Sequence, residues 1–155
     1  MAINITAGVT GGTQTGFTTP GYTMTADKGP DINANQSIVS AVSGTQTGVR
    51  VHTVSDPFSI SVWKPKNIRV LPSPNPVTGK YPPLPSNRYM VIVRKGANFA
   101  ANNAPAIATI RMYFDIPAGT DAYDAANIRA AVSMLVGTLS ADSAGLGDTL
   151  VSGVL

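Results

Sequence analysis

The chain has 155 residues but no cysteine, no glutamate and a single histidine, His52. Without cysteine there are no disulfides, no thiolate nucleophile and no cysteine-based zinc site. Without glutamate, and with eight scattered aspartates, there is no carboxylate pair for glycoside chemistry and no metal-ligand spacing. No catalytic residue, metal or cofactor is therefore expected. Charged residues make up only 12% of the chain, about half the usual share. No window approaches the roughly 20 apolar residues of a membrane span. Met1-Ala2-Ile3-Asn4-Ile5 carries neither the basic start nor the long apolar run of a secretory leader. These absences predict a soluble protein, made and used in a cytoplasm, with no membrane and no small-molecule substrate.

What is present is a chain with 43% hydrophobic residues, enough for one domain spanning residues 1–155 with its own core. The low charge implies that much of the surface lies in contacts or is covered by Thr, Ser and Asn. A net charge of +3 is modest, but many copies in one assembly would multiply it into a strong field.

The organising stretch runs from Pro105 to Ser140. In its first part Ala108, Ile110, Met112, Phe114 and Ile116 share one parity, and Ile107, Thr109, Arg111, Tyr113 and Asp115 the other. Strand side chains alternate between faces, so this is a long strand with one apolar and one polar face. Pro117, Ala118 and Gly119 turn it into a helix, with Thr120 as the expected N-cap and Asp121 and Asp124 in the positive first turn. Ile128, Val132, Leu135 and Leu139 continue one apolar stripe. The ending SAGLGDTLVSGVL reads as a second, shorter helix.

Upstream, short β-like pieces fall at 3–7, 15–18 and 22–25, with Gly11-Gly12 as a hairpin-turn candidate. Further strands are expected at Ser37–Ser43, Gly48–Val54, Phe58–Lys64 and Arg88–Lys95. Leu71–Ser86 is proline-dense, cannot donate ladder hydrogen bonds, and reads as a stiff surface loop. Gly96–Ala104 is a small polar connection into the long strand. Strands first and helices last give an α+β fold: an antiparallel sheet with an N-terminal hairpin and two C-terminal helices on one face.

A Ser–His–Asp reading of Ser59, His52 and Asp56 fails on layout, because these residues follow one another along a strand and its turn. Nucleic-acid binding has more support. If the apolar strand faces meet the helix, the opposite faces collect Arg50, His52, Ser59, Ser61, Trp63, Arg88, Arg94, Thr109, Arg111 and Tyr113. Arginines neutralise phosphates, hydroxyls hydrogen-bond, and Tyr or Trp stacks on an unpaired base. Taken alone, the same face also fits a solvated side of a half-buried sheet. Lys64, Lys66 and Arg69 form a basic run near Pro65 that carries the same two readings.

The alternating IRMYFDIP, the short turn into TDAYDAANIRAAVSMLVG and the ending SAGLGDTLVSGVL resemble the C-terminal half of a single-stranded RNA bacteriophage (levivirus-type) coat protein. That resemblance implies an interlocked homodimer, with sheets joined edge to edge and each helix lying across the partner's strands. It implies a small icosahedral T=3 shell, location in the virion, and binding of genomic RNA hairpins on the helix-free sheet face, with repression of replicase translation as a further role in relatives. It also puts the Gly96–Ala104 connection around the symmetry axes of the shell. Its match is firmest on the long strand, at Thr109, Arg111 and Tyr113; strand parity alone adds Arg50, Ser59, Ser61, Trp63, Arg88 and Arg94 to the expected RNA-binding set. Two rival classes remain: a small dimeric RNA-binding module that builds no shell, and a pilus or fibre subunit.

Overall fold

A computed structural model of the chain describes residues 3–155; Met1 and Ala2, the start of the stretch without a leader pattern, lie outside the described residues. Six strands form one antiparallel sheet in sequence order: β1 (Gly8–Thr10), β2 (Gly21–Asp27), β3 (Ala34–Ser43), β4 (Phe58–Trp63), β5 (Ser86–Ala97) and β6 (Ala106–Pro117). Three helices follow: α1 (Thr120–Tyr123), α2 (Ala125–Ala141) and α3 (Ser143–Ser152). The expected α+β architecture with an N-terminal hairpin is present, with three C-terminal helices in place of two.

The long strand forms because its β-branched and aromatic residues alternate with polar ones for its full length, and β5 matches it residue for residue. Twelve pairs run from Ser86↔Pro117 to Ala97↔Ala106. The polar connection is therefore shorter than expected: Gly96 and Ala97 belong to β5, and the loop covers residues 98–105. Among the described residues β6 pairs only with β5, so its other edge is open along the whole strand.

Gly48–Val54 is not a strand. It alternates in sequence, yet only His52 donates a backbone hydrogen bond to β3, to Val39 O at 2.9 Å, while Thr53 and Asp56 close a tight turn on each other. β3 instead pairs directly with β4, from Ala34↔Trp63 to Ile38↔Ser59. The N-terminal pieces also shift. β1 starts at Gly8, Gln14 and Phe17 form an isolated bridge, and Gly11-Gly12 opens a connection over residues 11–20 rather than a tight turn.

Gly119, not Thr120, caps the first helix. Its φ of 91° is left-handed, which suits glycine, and Leu71 packs against it. Thr120 lies inside α1 and donates its hydroxyl to Pro117 O at 2.7 Å. The helix then breaks at Asp124 (φ −136°, ψ 48°), whose carboxylate accepts from Asn127 Nδ2.

Little of this chain is buried by itself. Among the described residues the buried hydrophobic ones are Val39, Ile92 and Ala118, and no residue of α2 or α3 is buried. No α2 Cα comes within 8 Å of a strand Cα. Instead α2 overhangs the end of β6 across an open cleft of about 440 Å³. Phe114 and Ile116 line one side, and Ile128, Val132 and Leu135 the other. Beyond it, α3 is tied to the connection of the N-terminal hairpin, where Gln14 Nε2 donates to Ser143 O at 2.9 Å and Thr15 Oγ1 to Asp148 Oδ2 at 2.8 Å. No helix among the described residues is long and apolar enough to cross a membrane.

Candidate nucleic-acid interface

Strand pairing assigns each side chain to a face. The pairs Ser59↔Arg94, Ser61↔Ile92, Trp63↔Met90, Arg88↔Asp115, Ile92↔Arg111 and Arg94↔Thr109 share one side, and Met90↔Tyr113 joins them. Eight of the nine predicted residues therefore occupy a single face: Ser59, Ser61, Trp63, Arg88, Arg94, Thr109, Arg111 and Tyr113. The other face carries Ile60 and Val62, Val91 and Val93, and Ile110, Met112, Phe114 and Ile116, in line with the parity of the sequence.

Exposure sorts the eight. Ser61 is fully buried, and Ser59 nearly so, because longer neighbours on three strands close over these small side chains. Trp63 Nε1 donates to Ser61 Oγ at 3.1 Å, which fixes the indole over the floor of the face. Arg111 and Tyr113 stand exposed on the free-edge strand. Among the described residues neither Arg94 nor Arg111 has an ion-pair partner. Arg88 is different. Its Nε and Nη2 donate to the two Asp115 oxygens at 2.7 and 2.8 Å, and its guanidinium lies 5.4 Å from the centre of the Tyr113 ring. The Arg88 hydrogen bonds hold the Asp115 carboxyl below the usual carboxylate range.

Arg50 leaves the candidate set, since the segment carrying it is not part of the sheet. It pairs with buried Asp56, and its Nη2 also reaches Gly96 O at 3.3 Å and Asn98 Oδ1 at 3.2 Å. Lys95 Nζ meets the same carboxylate at 3.0 Å. Together, with Arg50 foremost, they hold Asp56 below its ordinary range although burial acts the other way. This knot also disposes of the hydrolase arrangement. Asp56 faces two cations, and His52 Nδ1 already accepts from the Phe58 amide at 3.0 Å. Of the basic run, Lys66 pairs with Asp31 at 2.9 Å. No group of metal-ligating side chains occurs among the described residues.

The residue that sequence reading missed is Asp115. Its charge was visible, but its pairing with Arg88 depends on register, which parity does not supply.

An antiparallel sheet with an open long edge, a polar face bearing arginines, and C-terminal helices without a core of their own matches a solved particle. The chain superposes on the protein of the virus-like particle of bacteriophage ESE020 with TM-score 0.96 and 45% identity, covering 99% of this chain and 100% of that one. The chain belongs to the coat proteins of the single-stranded RNA bacteriophages. The virus-like particle of Beihai levi-like virus 32 shares the fold at TM-score 0.51 and 14% identity, over 86% of this chain and 88% of that one. No protein-family profile matches the chain, and no curated protein does. A coat protein is a structural subunit of the virion that assembles with copies of itself, so the fibre-subunit reading falls. Assembly with copies of itself is consistent with the sparse core and low charge of the single chain.

Proposed function

We propose that this coat protein is an obligate interlocked homodimer that builds a small icosahedral T=3 shell in the bacterial cytoplasm and holds single-stranded genomic RNA on its arginine-bearing sheet face. The observation that carries the dimer is the conjunction of an open twelve-residue β6 edge with an overhanging helix that buries nothing of its own. A second copy joined along β6 would satisfy the open edge and fill the cleft between Phe114 and Leu135. That joining would also double the polar face, placing two copies of Arg94, Arg111 and Tyr113 on one continuous surface.

Unpaired Arg94 and Arg111 suit phosphates, and exposed Tyr113 offers a ring to a splayed base. Half-buried Trp63 and Thr109 border them, and Ser59 and Ser61 form the floor. Engagement of a hairpin over a replicase start site would make the same surface a translational repressor.

The test uses protein produced in bacteria. Particles are treated with nuclease, their RNA is extracted, and the disassembled dimers are titrated with RNA hairpins over a range of salt. Encapsidated RNA and an affinity that falls steeply with salt are expected. Shells that form without RNA, from dimers that bind no hairpin at low salt, would overturn the RNA reading.

A further inference from the structure

Beside Tyr113, on the same face, Arg69, Ser86, Arg88 and Asp115 line an open cleft of about 430 Å³. The cleft is built rather than incidental. Asn87, itself buried, accepts from the Arg69 amide at 2.8 Å and donates to Arg69 O at 2.9 Å, so the start of the proline-rich loop is clamped to β5. Across β5 and β6 the paired Arg88 and Asp115 complete the wall.

A carboxylate is out of place on a surface meant only for phosphates, because it repels them. What it attracts is N–H. The two bonds from Arg88 use one acceptor position on each Asp115 oxygen, and a carboxylate has about four in all. Two remain for a ligand that presents adjacent donors. Arg69, without an ion-pair partner among the described residues, adds a donor to the same wall.

Among the bases, guanine alone combines two adjacent N–H donors on its Watson–Crick edge with two acceptors, O6 and N7, that an arginine reads. Cytosine and adenine bring one amino group each, and uracil a single ring N–H. The volume falls in the range of about 300–1,000 Å³ typical of small-ligand sites.

We propose that this cleft selects an unpaired guanine of the bound RNA, with Asp115 accepting from the guanine N1–H and N2–H groups and Arg69 donating to its acceptor edge. Arg88 acts as a positioning residue that holds the Asp115 carboxylate in place. The proposal rests on the RNA-binding reading above.

The experiment uses intact coat-protein dimers and four hairpins that differ only in one bulged nucleotide, G, A, C or U, titrated at two salt concentrations. The bulged-G hairpin should bind roughly tenfold more tightly than the others, in keeping with one bidentate base contact. Asp115→Asn removes a negative charge and replaces one acceptor oxygen, with both its acceptor positions, by an NH2 donor. It should tighten all four hairpins slightly while abolishing the preference for G. Arg69→Ala leaves the Asn87 clamp intact, since that clamp holds only backbone, and should lower the preference while weakening all four. It serves as the independent variant if Asp115→Asn fails to give folded dimers. Equal binding of all four hairpins by the unmodified protein, with a steep salt dependence, would leave the RNA face standing and overturn the guanine site. An Asp115→Asn protein that keeps its G preference would overturn it as well. Failure of all four hairpins to bind at low salt would remove both readings together.

Discussion

Gly96 lies so close beneath Asp56 that a Cβ on residue 96 would overlap the Asp56 carboxylate oxygen Oδ1. The approach lets one buried carboxylate tie Arg50, Lys95 and the base of the 98–105 loop into a single knot. Gly96→Ala should destabilise the protein by about 1–3 kcal/mol through overpacking. Urea unfolding of the dimer checks this, and an unchanged midpoint would show that the knot yields freely.

The same carboxylate sets a pH dependence. Asp56 has a folded pKa below its unfolded value, so its contribution is fully present above the unfolded value, roughly 3.9. It is lost as pH falls through the folded value. Melting temperature should therefore drop on acidification below about pH 4, and Asp56→Asn should show a smaller drop. Parallel melting curves for the two proteins between acid and neutral pH decide the matter.

The dimer prediction concerns α2. Ile128, Leu135 and Leu139 are half-buried in the single chain, while Val132 and, on other sides of the helix, Met134 and Val136 are exposed. A helix apolar around much of its circumference belongs inside something, and its own sheet meets it only across the open cleft at the end of β6. Val132→Asp should abolish soluble dimers, and, if each copy supplies the other's core as proposed, dissociation of the unmodified dimer should coincide with unfolding. A folded monomer in analytical ultracentrifugation at low concentration would refute the obligate dimer.

How far the fold was legible depends on range. Face assignment on β4, β5 and β6 could be read directly, because alternation is local to each strand. Gly48–Val54 alternates just as well, but a strand also needs a neighbour, and β4 takes the place beside β3. Burial of Ser59 and Ser61 depends on longer side chains in adjacent strands, and the Arg88–Asp115 pair depends on register. Neither is written in any one segment. Helix α2 carries the apolar stripe that the sequence shows, yet none of its residues is buried in a single chain; in the proposed dimer the surface it covers belongs to a second copy.

Residues 98–105 should govern assembly more than folding. The loop begins beyond the β5–β6 ladder, and its Phe99 is 72% exposed. Shortening it by residues 100–103 leaves every strand pair and the Asp56 knot in place. Soluble dimers with native-like circular dichroism but few or altered particles are expected in electron microscopy. Unchanged particles, or an unfolded chain, would show that the loop has a different role.

The two faces of β6 are separable by neighbouring substitutions. Arg111 and Tyr113 point to the polar side, and Met112, between them, to the side that faces the helix. Arg111→Ala removes an exposed cation without an ion-pair partner. It should leave stability within about 0.5 kcal/mol, weaken RNA binding at every sequence and reduce the salt slope by about one. Tyr113→Ala should cost roughly 1–3 kcal/mol per stacked base and act more on a preferred hairpin than on bulk RNA. It also removes the ring beneath Arg88, though the Arg88–Asp115 pair survives it. Met112→Ala is the control: about 2–5 kcal/mol of dimer stability lost to a cavity, with RNA affinity affected only through folding. Hairpin titrations across salt, beside urea unfolding of the three variants, separate the two sides. If Arg111→Ala unfolds the dimer while Met112→Ala leaves it unchanged, the polar side is the one packed in the assembly, and RNA must bind elsewhere.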